Sequence, residues 1–106
     1  ITNRLQIHHY PVGGGYMGFH TDPDIYLKTL AIIYMSEFGK DFHSGGLTLH
    51  KDSSEKLNVD PMVGTGDMVL AYPTIKHGCV PIDENKTLDW ESSKGRWLFL
   101  LNSLPK

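Results

Sequence analysis

Hydrophobic and polar positions alternate along most of this chain in short stretches separated by turn residues, a pattern that predicts strands. Residues 4–10 (Arg-Leu-Gln-Ile-His-His-Tyr) set Leu5 and Ile7 on one face and Gln6, His8 and Tyr10 on the other. Pro11 with Gly13, Gly14 and Gly15 forces a turn, and residues 16–20 form a short strand that Pro23 ends. Residues 27–35 (Leu-Lys-Thr-Leu-Ala-Ile-Ile-Tyr-Met) are apolar on both faces. Their β-branched and aromatic content favours a strand over the competing helix. A loop over 37–46 closes on Gly45-Gly46 before a strand at 47–50. Residues 51–56 turn, and 57–59 pair briefly before Pro61, Gly64 and Gly66 interrupt the pattern. Further strands are expected at 67–72, 76–82 and 96–104, with a polar loop over 83–94 that carries Trp90.

Seven or eight short strands without a convincing helix predict an all-β sandwich or barrel, one domain over residues 1–106. The stretches 27–35 and 96–104 are apolar on both faces, which a two-sheet sandwich alone does not explain. Terminal helices outside this sequence, or another subunit, are expected to cover the outer face. The first residue is Ile1 rather than Met, so a piece of a longer protein is expected.

Composition narrows the function classes. Apolar residues at 40% and charged residues at 21% are ordinary globular usage. A net charge of -2 offers no basic field for nucleic acid or acidic lipid. No apolar run reaches the roughly 18 residues of a membrane span. Cys79 is the only cysteine, so no internal disulfide forms and a reducing, cytoplasmic setting is expected.

Six histidines in 106 residues exceed what composition requires. His20 and Asp22 stand two apart, so on an extended strand both point to one face. Joined by His77, they offer two imidazoles and one carboxylate, the facial set that suits non-haem Fe(II) with positions left open. A His-x-Asp pair alone also fits a structural histidine. His9 and His50 read as surface or sheet-face groups and His43 as a solvated loop residue. His8 shares the face of Tyr10, which makes it a candidate contact for substrate or cosubstrate. Cys79 reads as a small buried hydrophobe beside His77. Trp97 and Phe99 read as core or covered-face residues, and Trp90 as loop packing or a substrate lid.

Order and context carry the reading further. Tyr10-Pro11 and the glycines lead to His20-x-Asp22, and residues 29–35 end in Ile33-Tyr34-Met35. Gly45-Gly46-Leu47-Thr48 follows, then Pro61 with Gly66-Asp67-Met68-Val69-Leu70, then His77-Gly78-Cys79-Val80-Pro81, and last Gly95-Arg96-Trp97. With these motifs in this order, residues 10–102 resemble the Fe(II)- and 2-oxoglutarate-dependent oxygenases, and within them the prolyl 4-hydroxylase-like group.

The resemblance implies a double-stranded β-helix, the jelly-roll (cupin-like) fold, lacking its flanking helices. It implies catalytic metal ligands at His20, Asp22 and His77, with Arg96 pairing the distal carboxylate of 2-oxoglutarate and Tyr10 and Tyr34 lining the cosubstrate pocket. Fe(II), 2-oxoglutarate as cosubstrate and O2 are the implied cofactors, with ascorbate as an auxiliary reductant. The implied reaction hydroxylates an unactivated C–H bond of a prolyl residue in a peptide or protein, or of a free amino acid, while 2-oxoglutarate becomes succinate. A guanidinium suits the anchor because its planar fork matches a carboxylate and stays charged.

The chain departs from the family in places. The stretch between His77 and Arg96 is longer than usual, which leaves Lys94 as an alternative anchor. Leu47-Thr48-Leu49-His50 lacks the usual acidic and aromatic residues. Two other readings stand beside the oxygenase: a non-catalytic metal-binding jelly-roll module, and a cupin-type metalloenzyme that does not use 2-oxoglutarate. Arg96 argues against the second, because a buried arginine needs an anion to meet it. Specificity is expected in the loops at 13–15, 37–44 and 83–94.

Overall fold

The computed structural model describes residues 2–22, 29–52 and 54–104; Pro23 and the first two residues of the 27–35 stretch lie outside them. Among the described residues eight strands form: β1 (Thr2–Pro11), β2 (Met17–His20), β3 (Leu30–Tyr34), β4 (Gly46–His50), β5 (Lys56–Asn58), β6 (Met68–Ala71), β7 (Lys76–Val80) and β8 (Gly95–Leu104). A 3-10 turn at Asp60–Met62 sits where Pro61 interrupts the pattern, its proline tolerated in the first turn. There is no α-helix among the described residues, and no helix long and apolar enough to cross a membrane.

The strands make two antiparallel four-stranded sheets, ordered β1-β8-β3-β6 and β2-β7-β4-β5, an arrangement compatible with a β-sandwich. Their pairing follows a rule. β1 pairs β8, β2 pairs β7, β3 pairs β6 and β4 pairs β5, so the chain is a long antiparallel ribbon doubled back between β4 and β5. Successive pairs go to alternate sheets, and β3–β8 and β4–β7 contacts join neighbouring turns of the ribbon.

Leu30, Ile32 and Tyr34 of β3, Leu98 of β8, Leu47 of β4 and Val59 form the main core cluster. Because these residues come from both sheets, the cluster lies between them. The outer face of the β1-containing sheet is also apolar. Two rows cross all four strands there, Leu5–Leu101–Ala31–Leu70 and Ile7–Phe99–Ile33–Met68. In β1 the alternation is inverted relative to an ordinary sandwich: Leu5 (61% exposed) and Ile7 (64%) face outward while His8 and Tyr10 face a cavity. A strand that turns its polar side chains inward departs from the binary pattern of a packed core, which such proteins do at functional sites.

Register defines two ends. Arg96 pairs Tyr10 at one end of β8, and Asn102 pairs Arg4 at the other. The loops at 13–15, 37–44 and 83–94 gather at the Arg96 end: Gly14 N donates to Ile82 O, His43 N and Ser44 N donate to Asp83 Oδ1, and Val12 N donates to Lys94 O. Asp22 lies at the Asn102 end, where its N–H donates to Pro73 O beyond β6. Trp90, 78% exposed, belongs to the 83–94 loop.

Candidate metal centre

His20 is the last residue of β2, and a bulge aims it. Met17 pairs Cys79 and His20 pairs His77, so three steps along β2 match two along β7. Without the extra residue Met17 and His20, an odd number apart, would face opposite ways; with it both line the cavity. Gly78 makes this possible. A Cβ there would lie 2.9 Å from Met17 O and 2.9 Å from the Phe19 ring, so only glycine lets the bulged strand approach.

As directly paired residues, His20 and His77 share one face of the sheet, with ring centroids 4.5 Å apart. Both rings are tied back at Nδ1: to Gly18 O at 2.7 Å for His20 and to Ile75 O at 2.6 Å for His77. A carbonyl only accepts, so each Nδ1 carries a proton, which leaves Nε2 as the nitrogen turned toward the shared point. Asp22 completes the group, with one carboxylate oxygen 3.7 Å from His20 Nε2 and the other 3.2 Å from His77 Nε2. One donor atom from each of the three lies within 4.8 Å of the others. Metal bonds of about 2.1 Å at right angles put adjacent donors about 3 Å apart, so small side-chain rotations close the set around an ion. The carbonyl-anchored imidazoles supply the outer hydrogen bonds that metal-binding histidines use. The donor set therefore fits a divalent metal held on one side, with the opposite side open.

That open side faces a cavity of about 330 Å³ running between the sheets. Its walls include Leu30, Ile32, Leu47, Leu98 and Leu100, and its polar groups include His8, Tyr10 and Arg96. Lys94 lines a separate surface depression with the 83–94 loop, so of the two candidate anchors it is Arg96 that shares the cavity of the metal group.

Arg96 is 2% exposed and already has an anion partner, which the sequence did not reveal. Its Nε donates to Asp60 Oδ2 at 2.6 Å, and Nη2 donates to Asp60 Oδ1 at 3.3 Å and to the Tyr34 hydroxyl at 3.4 Å. Asp60, 1% exposed, also accepts from Tyr34 OH and from Leu47 N. Gly46 leaves room for this carboxylate, since a Cβ there would overlap it. Nη1 takes no part in these bonds. The guanidinium lies 5.3 Å from the ring centroids of both Tyr10 and Tyr34. Tyr34 thus braces the ion pair from behind and does not line the cavity, whereas Tyr10 does.

These contacts set the charge states. Burial works against the Arg96 charge, and hydrogen bonding and attraction to Asp60 overcome it, holding the group cationic. Burial pushes the Tyr10 hydroxyl up to about 12 and the Cys79 thiol up to about 11, so both stay protonated at neutral pH. Burial, and then the Arg96 charge, lower the His8 pKa and favour its neutral form.

The remaining histidines take quieter roles. His9 stacks on Trp97 with centroids 4.0 Å apart, and its Nε2 lies 3.1 Å from Lys94 O. His50 packs on Phe19, and His43 is exposed. Asp60, Arg4 and Asn102 are the site-side residues that sequence reading missed. A single aspartate before Pro61 and two polar residues near the ends of strands carry no local signal. No protein-family model matches the chain, and no curated protein matches it.

Proposed function

We propose that this chain is an Fe(II)- and 2-oxoglutarate-dependent dioxygenase core that hydroxylates an unactivated C–H bond. The observation that carries the reading is the convergence of His20 Nε2, His77 Nε2 and the Asp22 carboxylate on the cavity that Arg96 and Tyr10 also line. The pairing of strands one with eight, two with seven, three with six and four with five supports a jelly-roll, because that fold is a doubled ribbon rolled into two sheets.

In this reading His20, Asp22 and His77 hold the metal on one side and leave its other positions for a chelating keto acid and O2. Bound together, iron, 2-oxoglutarate and O2 supply an oxidant able to attack an aliphatic C–H bond while 2-oxoglutarate becomes succinate. The chain's own residues orient and exclude. Arg96 keeps Nη1 for the distal carboxylate, Tyr10 stays protonated and able to donate a hydrogen bond, and the leucine and isoleucine walls keep water from the reacting groups.

One observation favours a second reading. Asp60 already balances Arg96, so the arginine no longer requires a 2-oxoglutarate carboxylate as its partner. A cupin-type metalloenzyme that uses no 2-oxoglutarate accounts for the same pair. Succinate release separates the two: Fe(II)-loaded protein is expected to convert 2-oxoglutarate to succinate, and His77→Ala to abolish it. Intact metal binding with no succinate and no 2-oxoglutarate affinity would select the second reading.

A further inference from the structure

Arg96 lies at one end of the cavity, and the other end carries polar groups with no role so far. Asn102 lines the cavity, is 5% exposed, and its Oδ1 is buried with no hydrogen-bond partner among the described residues. An unmet buried carbonyl is costly to keep, so a site that retains one gains when a ligand N–H arrives. Arg4 is the direct cross-strand partner of Asn102 and lines the same cavity with its side chain largely exposed. Directly paired residues present side chains on one face, so the acceptor and the cation stand side by side.

The spacing suits a second ligand beyond the cosubstrate. Arg96 and Asn102 are six residues apart on β8, roughly 20 Å at strand rise. The residues between them that face inward are Leu98 and Leu100, and Leu30 lies beside them on β3. The metal group faces this apolar stretch from the opposite sheet, with Asp22 at the Asn102 end. A cavity of about 330 Å³ is at the small end of small-molecule sites and too confined for a folded partner.

We infer that Arg4 and Asn102 form the recognition site for the α-amino-acid end of a small aliphatic substrate. Its carboxylate meets Arg4, its N–H meets Asn102 Oδ1, and its side chain runs over Leu30 and Leu100 toward the metal group. This deepens the oxygenase reading and rests on it, favouring a free amino acid over an internal peptide residue, which has no carboxylate to offer Arg4. The same chemistry occurs at a peptide C-terminus, and the test separates the two.

Calorimetry on the Mn(II)-loaded chain of residues 1–106 with 2-oxoglutarate provides the test, titrating L-leucine, L-isoleucine, L-valine and L-proline. At least one is expected to bind, its amide at least tenfold more weakly, and its N-glycyl dipeptide more weakly than the free acid. Arg4→Met is expected to weaken the free acid at least tenfold and leave the amide unchanged. Asn102→Leu, which removes the orphaned carbonyl without opening a void, is expected to weaken both while Mn(II) and 2-oxoglutarate affinities hold. Binding of Mn(II) and 2-oxoglutarate with no amino acid bound would overturn the inference alone. So would variants that bind like the parent; equal binding of the dipeptide would shift the assignment to a peptide C-terminus and refute the free-acid form. Failure to bind Mn(II) would overturn it together with the oxygenase reading.

Discussion

Replacing Asp60 by asparagine keeps its shape and removes its charge, which isolates the ion pair. In the native protein the carboxylate receives Arg96 at 2.6 Å, and both side chains are at most 2% exposed. The substituted amide would present an N–H₂ to donors, leaving the guanidinium charge buried and unmet. Breaking a buried pair on one side costs about 3–5 kcal/mol. Against a total stability of about 5–15 kcal/mol this is a large fraction. At about 4–8 °C per kcal/mol, the midpoint should fall by at least about 12 °C. The assay is urea unfolding of metal-free protein, followed by the fluorescence of Trp90 and Trp97, with a thermal scan for the midpoint. The double variant Asp60→Leu with Arg96→Met replaces the pair by apolar groups and should recover most of the loss. A loss below about 1 kcal/mol in Asp60→Asn, or a double variant no more stable than the single, would refute the charge account.

Three further outcomes follow from the site. The Cys79 thiol, raised to about 11 by burial, should be modified at pH 8 about 100-fold more slowly than in the urea-unfolded chain, judged from its thiolate fraction and read by thiol-specific absorbance. The native pKa values of Cys79 and Tyr10 lie above their ordinary values, so the folded state holds more protons through that range. Stability contributed this way is complete below about pH 9 and is lost as pH rises toward about 12, a decline that urea midpoints measured across that range should trace. Gly78→Ala forces the β2 bulge away and should lower Mn(II) affinity at least about tenfold, with a far smaller change in the urea midpoint; unchanged affinity would show that the bulge does not aim His20.

Much of the fold was legible because alternation survives in single strands. The segments at 4–10, 47–50, 67–72 and 96–104 each contain or overlap a strand of the structure. The His20–Asp22 pair was legible from its close spacing, although Asp22 lies beyond the end of β2 rather than on its alternating face. What alternation does not encode is which face a strand turns inward, and β1 turns its polar face to the cavity. It also carries no trace of the β2 bulge, whose extra residue appears only when β7 is laid beside it. Asp60 was invisible because a buried acid has no periodic signature; its partner is 36 residues away. The loops expected to set specificity gather at the Arg96 end, a placement that depends on pairing directions a single strand does not reveal. The two stretches that read as apolar on both faces do contribute to the outer rows, where Leu5, Ile7 and Leu70 are exposed.

The most direct test of the central claim is an anaerobic titration of the chain with Fe(II) and then 2-oxoglutarate, read by visible absorbance. One equivalent of Fe(II) should bind, 2-oxoglutarate should raise a metal-to-ligand charge-transfer band, and His20→Ala or His77→Ala should remove both. Fe(II) binding that survives either substitution would contradict the assignment of these side chains as the metal centre.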